Sequence, residues 1–171
     1  MAELWLVLLD ASASTRRSGA LGLALGLLGQ LGRQAYRQRQ PLALLQASGP
    51  EPRWLWPGRR PDGRFWSLLE GLGAGGGTPL AAALREVQHW LRRRQCQQPG
   101  EQHRLLVLTD GRWQAREPLP PAPCPALLVD IECTPLRLGR ARTLAAQLQA
   151  DYWHIEQLPP CRGAGAMGDP D

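Results

Sequence analysis

Leu4-Trp5-Leu6-Val7-Leu8-Leu9, followed by Asp10-Ala11-Ser12-Ala13-Ser14, is the stretch whose reading decides the fold. The apolar run is short, continuous and ended by a charge. That is the pattern of a strand buried on both faces rather than one wetted at alternate residues. The carboxylate and two hydroxyls that follow therefore stand at the carboxyl end of a central strand, where open α/β sheets place their ligands.

Outward from there, strand-like and helix-like segments alternate. A helix is predicted over 17–39, closed by Pro41, then a strand over 41–47 and a short edge strand over 53–56. Trp54 and Trp56 alternate in that edge strand and are expected to face the core together. Residues 57–64, rich in Pro, Gly and Arg, read as a loop. A short helix over 65–72 and a helix over 80–94 follow, the second opened by Pro79, whose ring suits a first helical turn. Strands over 105–109 and 126–131 are joined by a proline-rich surface connection at 114–125. A helix over 138–150 and a strand over 152–155 complete the series. The alternation predicts an α/β fold, Rossmann-like and doubly wound, with a mostly parallel six-stranded sheet and helices on both faces. Residues 1–158 form the expected domain, and 159–171, opening on Pro159-Pro160 and ending acidic, the expected disordered tail.

Two more oxygen-bearing residues arrive in matching settings. Thr78 follows Gly75-Gly76-Gly77, and Asp110 ends the second apolar run. Singly, each residue has an ordinary use: a Ser after a strand caps a helix, and an Asp before Gly makes a turn. Together, Asp10, Ser12, Ser14, Thr78 and Asp110 bring hard oxygen donors from three separated loops, with no His or Cys among them. Such a set suits a hard divalent cation, Mg²⁺ with Mn²⁺ as a substitute.

This pattern resembles the metal-ion-dependent adhesion site of a von Willebrand factor A domain, whose five positions are filled by Asp10, Ser12, Ser14, Thr78 and Asp110. Flanking motifs narrow the resemblance. Gly75 to Leu80, Thr109-Asp110-Gly111-Arg112, Val129-Asp130-Ile131-Glu132 and Arg137-Leu138-Gly139 are similar to the carboxyl-terminal domain of magnesium and cobalt chelatase D subunits. The resemblance implies a non-catalytic subunit or accessory of an ATP-dependent chelatase that inserts a metal into a tetrapyrrole, as in cobalamin synthesis. It implies docking on an AAA+ ATPase subunit and on a large chelatase subunit through an acidic residue that completes the metal shell. Family D subunits carry an ATPase-like domain and an acidic, proline-rich linker ahead of this one, so either the ATPase is expected on a separate chain or this chain has left chelation behind. The alternative is a metal-dependent interaction module that partners another AAA+ ATPase in complex assembly or cofactor maturation. A metal-dependent hydrolase is the third reading.

Composition bounds these choices. The chain of 171 residues is 43% hydrophobic, enough to bury a core. Its formal net charge is +5, and all twenty basic residues are arginine. Without lysine there is no Walker-type phosphate loop and no Schiff-base chemistry. The arginines are scattered, with runs only at Arg16-Arg17, Arg59-Arg60 and Arg92-Arg93-Arg94, so nucleic-acid binding is not expected. Cys96, Cys124, Cys133 and Cys161 lack metal-ligand spacing and read as isolated thiols. The apolar stretch 20–31 falls short of the roughly 20 residues that span a bilayer and reads as a buried helix. No secretory leader precedes Asp10, so a cytoplasmic protein is expected.

Around the candidate site, Arg16, Arg17, Arg112 and Trp113 are expected to form a partner-binding rim, since Arg and Trp are favoured interface anchors. His89, His103 and His154 sit in no recognisable nucleophile motif, so catalysis by this chain alone is not expected. Asp130 and Glu132, two apart at a strand end, fit either loop anchoring or a second metal or acid–base role.

Overall fold

The computed structural model describes residues 2–113 and 118–158, so the expected tail lies outside the described residues. Six strands form one sheet: β1 (Glu3–Asp10), β2 (Leu42–Ala47), β3 (Arg53–Arg59), β4 (Gln102–Thr109), β5 (Ala126–Asp130) and β6 (Asp151–His154). Their order is β3-β2-β1-β4-β5-β6. Every pair is parallel except β2 with β3. The helices are α1 (Ala13–Arg17), α2 (Ala20–Gln38), α3 (Gly63–Glu70), α4 (Leu80–Gln97) and α5 (Arg140–Leu148).

The uninterrupted apolar run of β1 is explained by burial on both sides. Leu4, Leu6 and Leu8 pack with α4 and α5 in one core cluster, while Val7 and Leu9 pack with α2 and α3 in the other. Small residues on α2 let α3 approach closely; a Cβ on Gly32 would stand 2.6 Å from the Phe65 ring. The chain winds outward from β1 to β2 and β3, then crosses back to β4 and continues to β6. The winding direction thus reverses between β1 and β4, and the carboxyl ends of those strands flank the crevice where such sheets bind ligands.

Three expectations about the elements need correction. The helix expected over 17–39 is α2, which starts only at Ala20 because Gly19 adopts a left-handed φ of 79°, and a separate short helix, α1, precedes it. The strand expected to end at Trp56 runs on to Arg59 through Pro57 and Gly58, which an antiparallel edge strand tolerates. Trp54 and Trp56 are both core residues but on opposite faces. Leu44 pairs with Trp56 and the adjacent Leu45 with Trp54, so an extra residue bulges at Leu55 and turns the second tryptophan over.

At the end of the sheet away from the candidate site, the last turn of α4 is tied to the start of β4. Arg94 donates from Nε and NH2 to the two carboxylate oxygens of Glu101, at 2.7 and 2.8 Å, and His103 lies 3.2 Å from the same carboxylate. Burial alone would raise the Glu101 carboxyl, but the Arg94 bonds and charge, with His103, outweigh it and hold it below the ordinary range. A depressed carboxyl stabilises the fold above its unfolded value and loses that contribution as pH falls through the folded one. Glu101→Gln should therefore cost about 1–2 kcal/mol at neutral pH, the scale of a charge-assisted hydrogen bond. Urea titrations should show that gap closing as the pH falls from near 4.5 to below the depressed folded value.

Candidate metal centre

The register puts the two halves of the site side by side. Leu9 pairs with Leu108, so Asp10 lies beside Thr109, and Asp110 opens the loop just beyond. Asp10 and Asp110 are both buried. The Asp10 carboxylate is fixed at both oxygens: Oδ1 accepts the Ser12 amide and the Thr78 hydroxyl, each at 3.0 Å, and Oδ2 accepts the Thr109 hydroxyl at 2.7 Å. The Ser14 hydroxyl donates to Asp110 Oδ2 at 2.7 Å and lies 3.0 Å from the Ser12 hydroxyl. All five residues expected from the sequence are thereby joined in one hydrogen-bonded chain: Thr78, Asp10, Ser12, Ser14, Asp110.

The ordinary uses of these residues account for only part of what they do. Ser12 occupies the N-cap position of α1, yet its side chain makes no cap bond and its hydroxyl turns to Ser14. Asp110 does serve its turn, accepting the Arg112 amide on Oδ1 at 3.0 Å, and still offers Oδ2 to Ser14.

Thr78 is brought in by backbone rather than by its own packing. The Gly75 amide donates to Ala11 O at 3.0 Å, the Ala13 amide to Gly76 O at 3.1 Å, and the Gly49 amide to Gly77 O at 3.0 Å. The glycine run is thus laced to the loops after β1 and β2. Gly76 has φ of 70°, and a Cβ there would come within 2.9 Å of Gly49 Cα. On the other side, Gly111 has φ of 72° and sits so tightly under the start of α5 that a Cβ would meet Ala141 N at 2.5 Å. Both glycines are where they are because no side chain fits.

Burial raises the Asp10 carboxyl above its ordinary value; the Thr109 bond opposes this, the Asp110 charge adds to it, and the Ser12 bonds oppose it again. Among the described residues, none of the ion pairs involves Asp10 or Asp110. Two buried carboxylates at a strand end with only neutral donors are an unbalanced arrangement, since unpaired buried charge is costly. The donor set fits a hard cation as the missing counter-charge. Ser14 and Thr78 direct their protons at carboxylates, which leaves hydroxyl lone pairs free, and both residues are only half-buried, so the open side faces solvent. Asp10, Ser12, Ser14, Thr78 and Asp110 are the residues that could hold it. Thr109 is a further participant whose role the sequence did not signal beyond its place before Asp110; its hydroxyl also accepts the Gly111 amide at 3.1 Å.

The expected rim is only partly free. Arg16 and Arg17 are exposed on α1. Arg112 turns away to donate to the Thr134 hydroxyl at 3.1 Å and lies 3.8 Å from Glu132. Trp113 is half-buried against the core cluster of α4 and α5, so packing occupies its ring. Asp130 and Glu132 anchor loops: Asp130 accepts the Glu132 amide at 2.9 Å and the Tyr152 hydroxyl at 2.6 Å, and Glu132 accepts the Leu138 amide at 3.1 Å. Glu132 lies beyond the end of β5, so the two do not share a strand face. Among the described residues Cys96, Cys124 and Cys133 are free thiols, and burial pushes Cys124 up to about 11; Cys161 lies outside the described residues. Among the described residues, no helix is long and apolar enough to cross a membrane.

Comparison with known proteins agrees with this architecture. The sequence model of the von Willebrand factor type A domain family matches residues 5–112. An uncharacterized protein of Mycobacterium tuberculosis (strain ATCC 25618 / H37Rv) is 29% identical over 167 residues; the match covers 91% of this chain but only 27% of that protein, so the chain spans about a quarter of its curated relative. Among solved structures, an aerotolerance-related membrane protein from Bacteroides fragilis superposes with a TM-score of 0.69 at 14% identity, covering 92% of each chain. A von Willebrand factor type A protein from Catenulispora acidiphila gives 0.63 at 14% identity, covering 90% of this chain and 38% of that one. Identities this low speak to the fold alone.

The loop geometry yields a direct test. Gly76→Ala must place a side chain in a left-handed conformation against Gly49 and should cost about 1–3 kcal/mol in urea unfolding. Gly77→Ala, with open space at its Cβ, is the control and should stay close to the parent.

Proposed function

The chain belongs to the von Willebrand factor type A domain family, and on that premise we propose that it is a Mg²⁺-dependent protein-interaction module. Asp10, Ser12, Ser14, Thr78 and Asp110 act as its metal-ion-dependent adhesion site. The observation that carries this reading is the hydrogen-bonded set of five residues from three loops. Side chains link it where Thr78 meets Asp10, Ser12 meets Ser14 and Ser14 meets Asp110, the Ser12 amide closes it at Asp10, and its two carboxylates have no cationic partner among the described residues. Neutral hydroxyls from Ser12, Ser14 and Thr78 would bind the ion without cancelling its charge, and Asp10 and Asp110 would supply the compensating anions. Mg²⁺ dehydrates reluctantly and keeps positions open, and a bound ion attracts an anionic oxygen from a partner. The half-buried, solvent-facing side of the site leaves room for such an approach.

The partner we propose is a metal chelatase assembly. The chain would serve as a non-catalytic subunit or accessory of a magnesium or cobalt chelatase, docking on its AAA+ ATPase and its large subunit through a carboxylate that completes the metal shell. What supports this reading is the resemblance of the stretches from Gly75 to Leu80 and from Val129 to Gly139 to motifs of chelatase D subunits.

A tagged chain, incubated in lysate of its source with Mg²⁺ or with EDTA, tests the assignment. Recovery of chelatase subunits in Mg²⁺ alone, lost in Asp10→Ala, is the expected result. Metal-dependent recovery of a different AAA+ ATPase would move the function to assembly or maturation of another complex while keeping the site.

A further inference from the structure

At the end of the sheet away from the candidate metal centre, arginines outnumber their partners. Arg59 ends β3 opposite Leu42, the first residue of β2, and Arg37 and Arg39 stand just before that strand at the close of α2. The last turns of α4, with Arg92, Arg93 and Arg94, finish at the same end, because β4 starts there with Gln102 beside Glu3 of β1. The carboxylates at hand are already taken: Glu3 by Arg104, Asp62 by Arg64 and Glu101 by Arg94. Among the described residues, none of the ion pairs includes Arg37, Arg39, Arg59, Arg60, Arg92 or Arg93. Arg60 is used locally, donating from Nε and NH2 to Tyr36 O at 3.1 and 3.0 Å, and the Arg59 guanidinium lies 4.2 Å from the centre of the Trp56 ring. Like charges gathered without counter-charge raise the local concentration of anions.

One part of this end is a formed cleft. Gly58, with φ of 66°, lets β3 lie directly against α4; a Cβ there would meet the Trp90 ring at 2.8 Å and Arg94 NH1 at 3.5 Å. Trp90 is backed by Trp54, their ring centres 5.1 Å apart, and Trp54 is held by its Nε1 bond to Glu86 at 2.9 Å. Beside this contact lies a space of about 270 Å³ lined by Pro57, Trp90, Arg93, Arg94 and Gln97, with no carboxylate among them. Arg94 is fixed by the Glu101 carboxylate through Nε and NH2, which leaves NH1 on the side of Gly58. Arg93 has neither ion pair nor hydrogen bond among the described residues. The end of α4 favours a cation in its last turn, and Arg94 is the basic residue there. Arg93 stands outside that account.

We propose that the cleft between β3 and α4 binds the phosphate groups of a small phosphorylated ligand, with Arg93 as the principal anion-holding group, helped by Arg94 NH1 and the Gln97 carboxamide. Guanidinium and carboxamide donors with no carboxylate among them select an oxyanion. Consecutive helix positions project in different directions, so Arg93 and Arg94 reach a shared anion from two sides. A tetrahedral phosphate offers oxygens to both, whereas a planar carboxylate is matched by a single guanidinium fork. The volume lies just under that of clefts for drug-sized molecules, which makes the ligand a small one. This site stands at the opposite end of the sheet from Asp10 and Asp110 and does not depend on a metal being bound there.

Isothermal titration of pyrophosphate, and separately of malonate, into the whole chain at low salt tests the proposal, with EDTA present so that no divalent ion contributes. The parent should bind one pyrophosphate saturably and several-fold more tightly than malonate. Arg93→Ala changes an exposed residue that has no partner to lose, and should weaken pyrophosphate binding about tenfold, the scale of a lost charge-assisted hydrogen bond. Arg37→Ala removes the same charge from the same end without touching the cleft lining, and should change the affinity less than about twofold, since a remote exposed charge is screened. Absence of saturable binding by the parent at millimolar pyrophosphate overturns the site. Equal losses in the two variants overturn it as well, because they would show diffuse attraction in place of a cleft. Malonate binding as tight as that of pyrophosphate overturns the assignment to phosphate.

Discussion

Two carboxylates buried side by side at the carboxyl ends of β1 and β4 are the constraint around which the rest of the structure is arranged. A charge removed from water needs either an opposite charge or several hydrogen bonds. Asp10 is given three neutral donors, the Ser12 amide and the hydroxyls of Thr78 and Thr109. Those donors come from the loop after β1, the loop before α4 and the end of β4, so satisfying Asp10 determines how the two loops close on the sheet. Burial still raises its carboxyl, and Asp110 adds to the effect. The fold therefore holds stored electrostatic demand at one point, and a divalent cation is the simplest group that meets it.

Several unrelated-looking features follow from that demand. The glycine run must pass against Gly49 to deliver Thr78, so Gly76 can carry no side chain. The first helix is broken at Gly19, which leaves α1 a short element whose first turn carries Ser14 toward Asp110. Gly111 lets the start of α5 sit on the turn that follows Asp110, and the braced loop preceding α5 is tied to that turn through Arg112. The candidate site, the helix positions and the loop before α5 are thus one mechanical unit at the reversal of the strand order.

The elements most legible in the sequence were those with a one-dimensional signature. The β1 run is continuous because both of its faces are covered, and the oxygen donors end strands or follow glycines, so the sheet and the five candidate ligands could be named before any coordinates. What was hidden depends on neighbours far away in the chain. The bulge at Leu55 that separates Trp54 from Trp56 arises from pairing with β2, and no local feature reports it. Thr109 looked like one more strand residue, because only the register of β4 on β1 turns its hydroxyl to Asp10. Trp113 stood beside Asp110 in sequence and suggested a rim, but packing against the core claims it. The roles of Asp130 and Glu132 were open until the loop they anchor was seen.

The central claim is that Asp10 and Asp110 are held together for a cation. Isothermal titration of Mg²⁺ into the metal-free chain, beside Asp110→Ala, addresses it most directly. The account predicts saturable binding of one ion by the parent and none by the variant, with both folded by circular dichroism. Equal binding by the two proteins, or no binding by the parent at millimolar Mg²⁺, would contradict it.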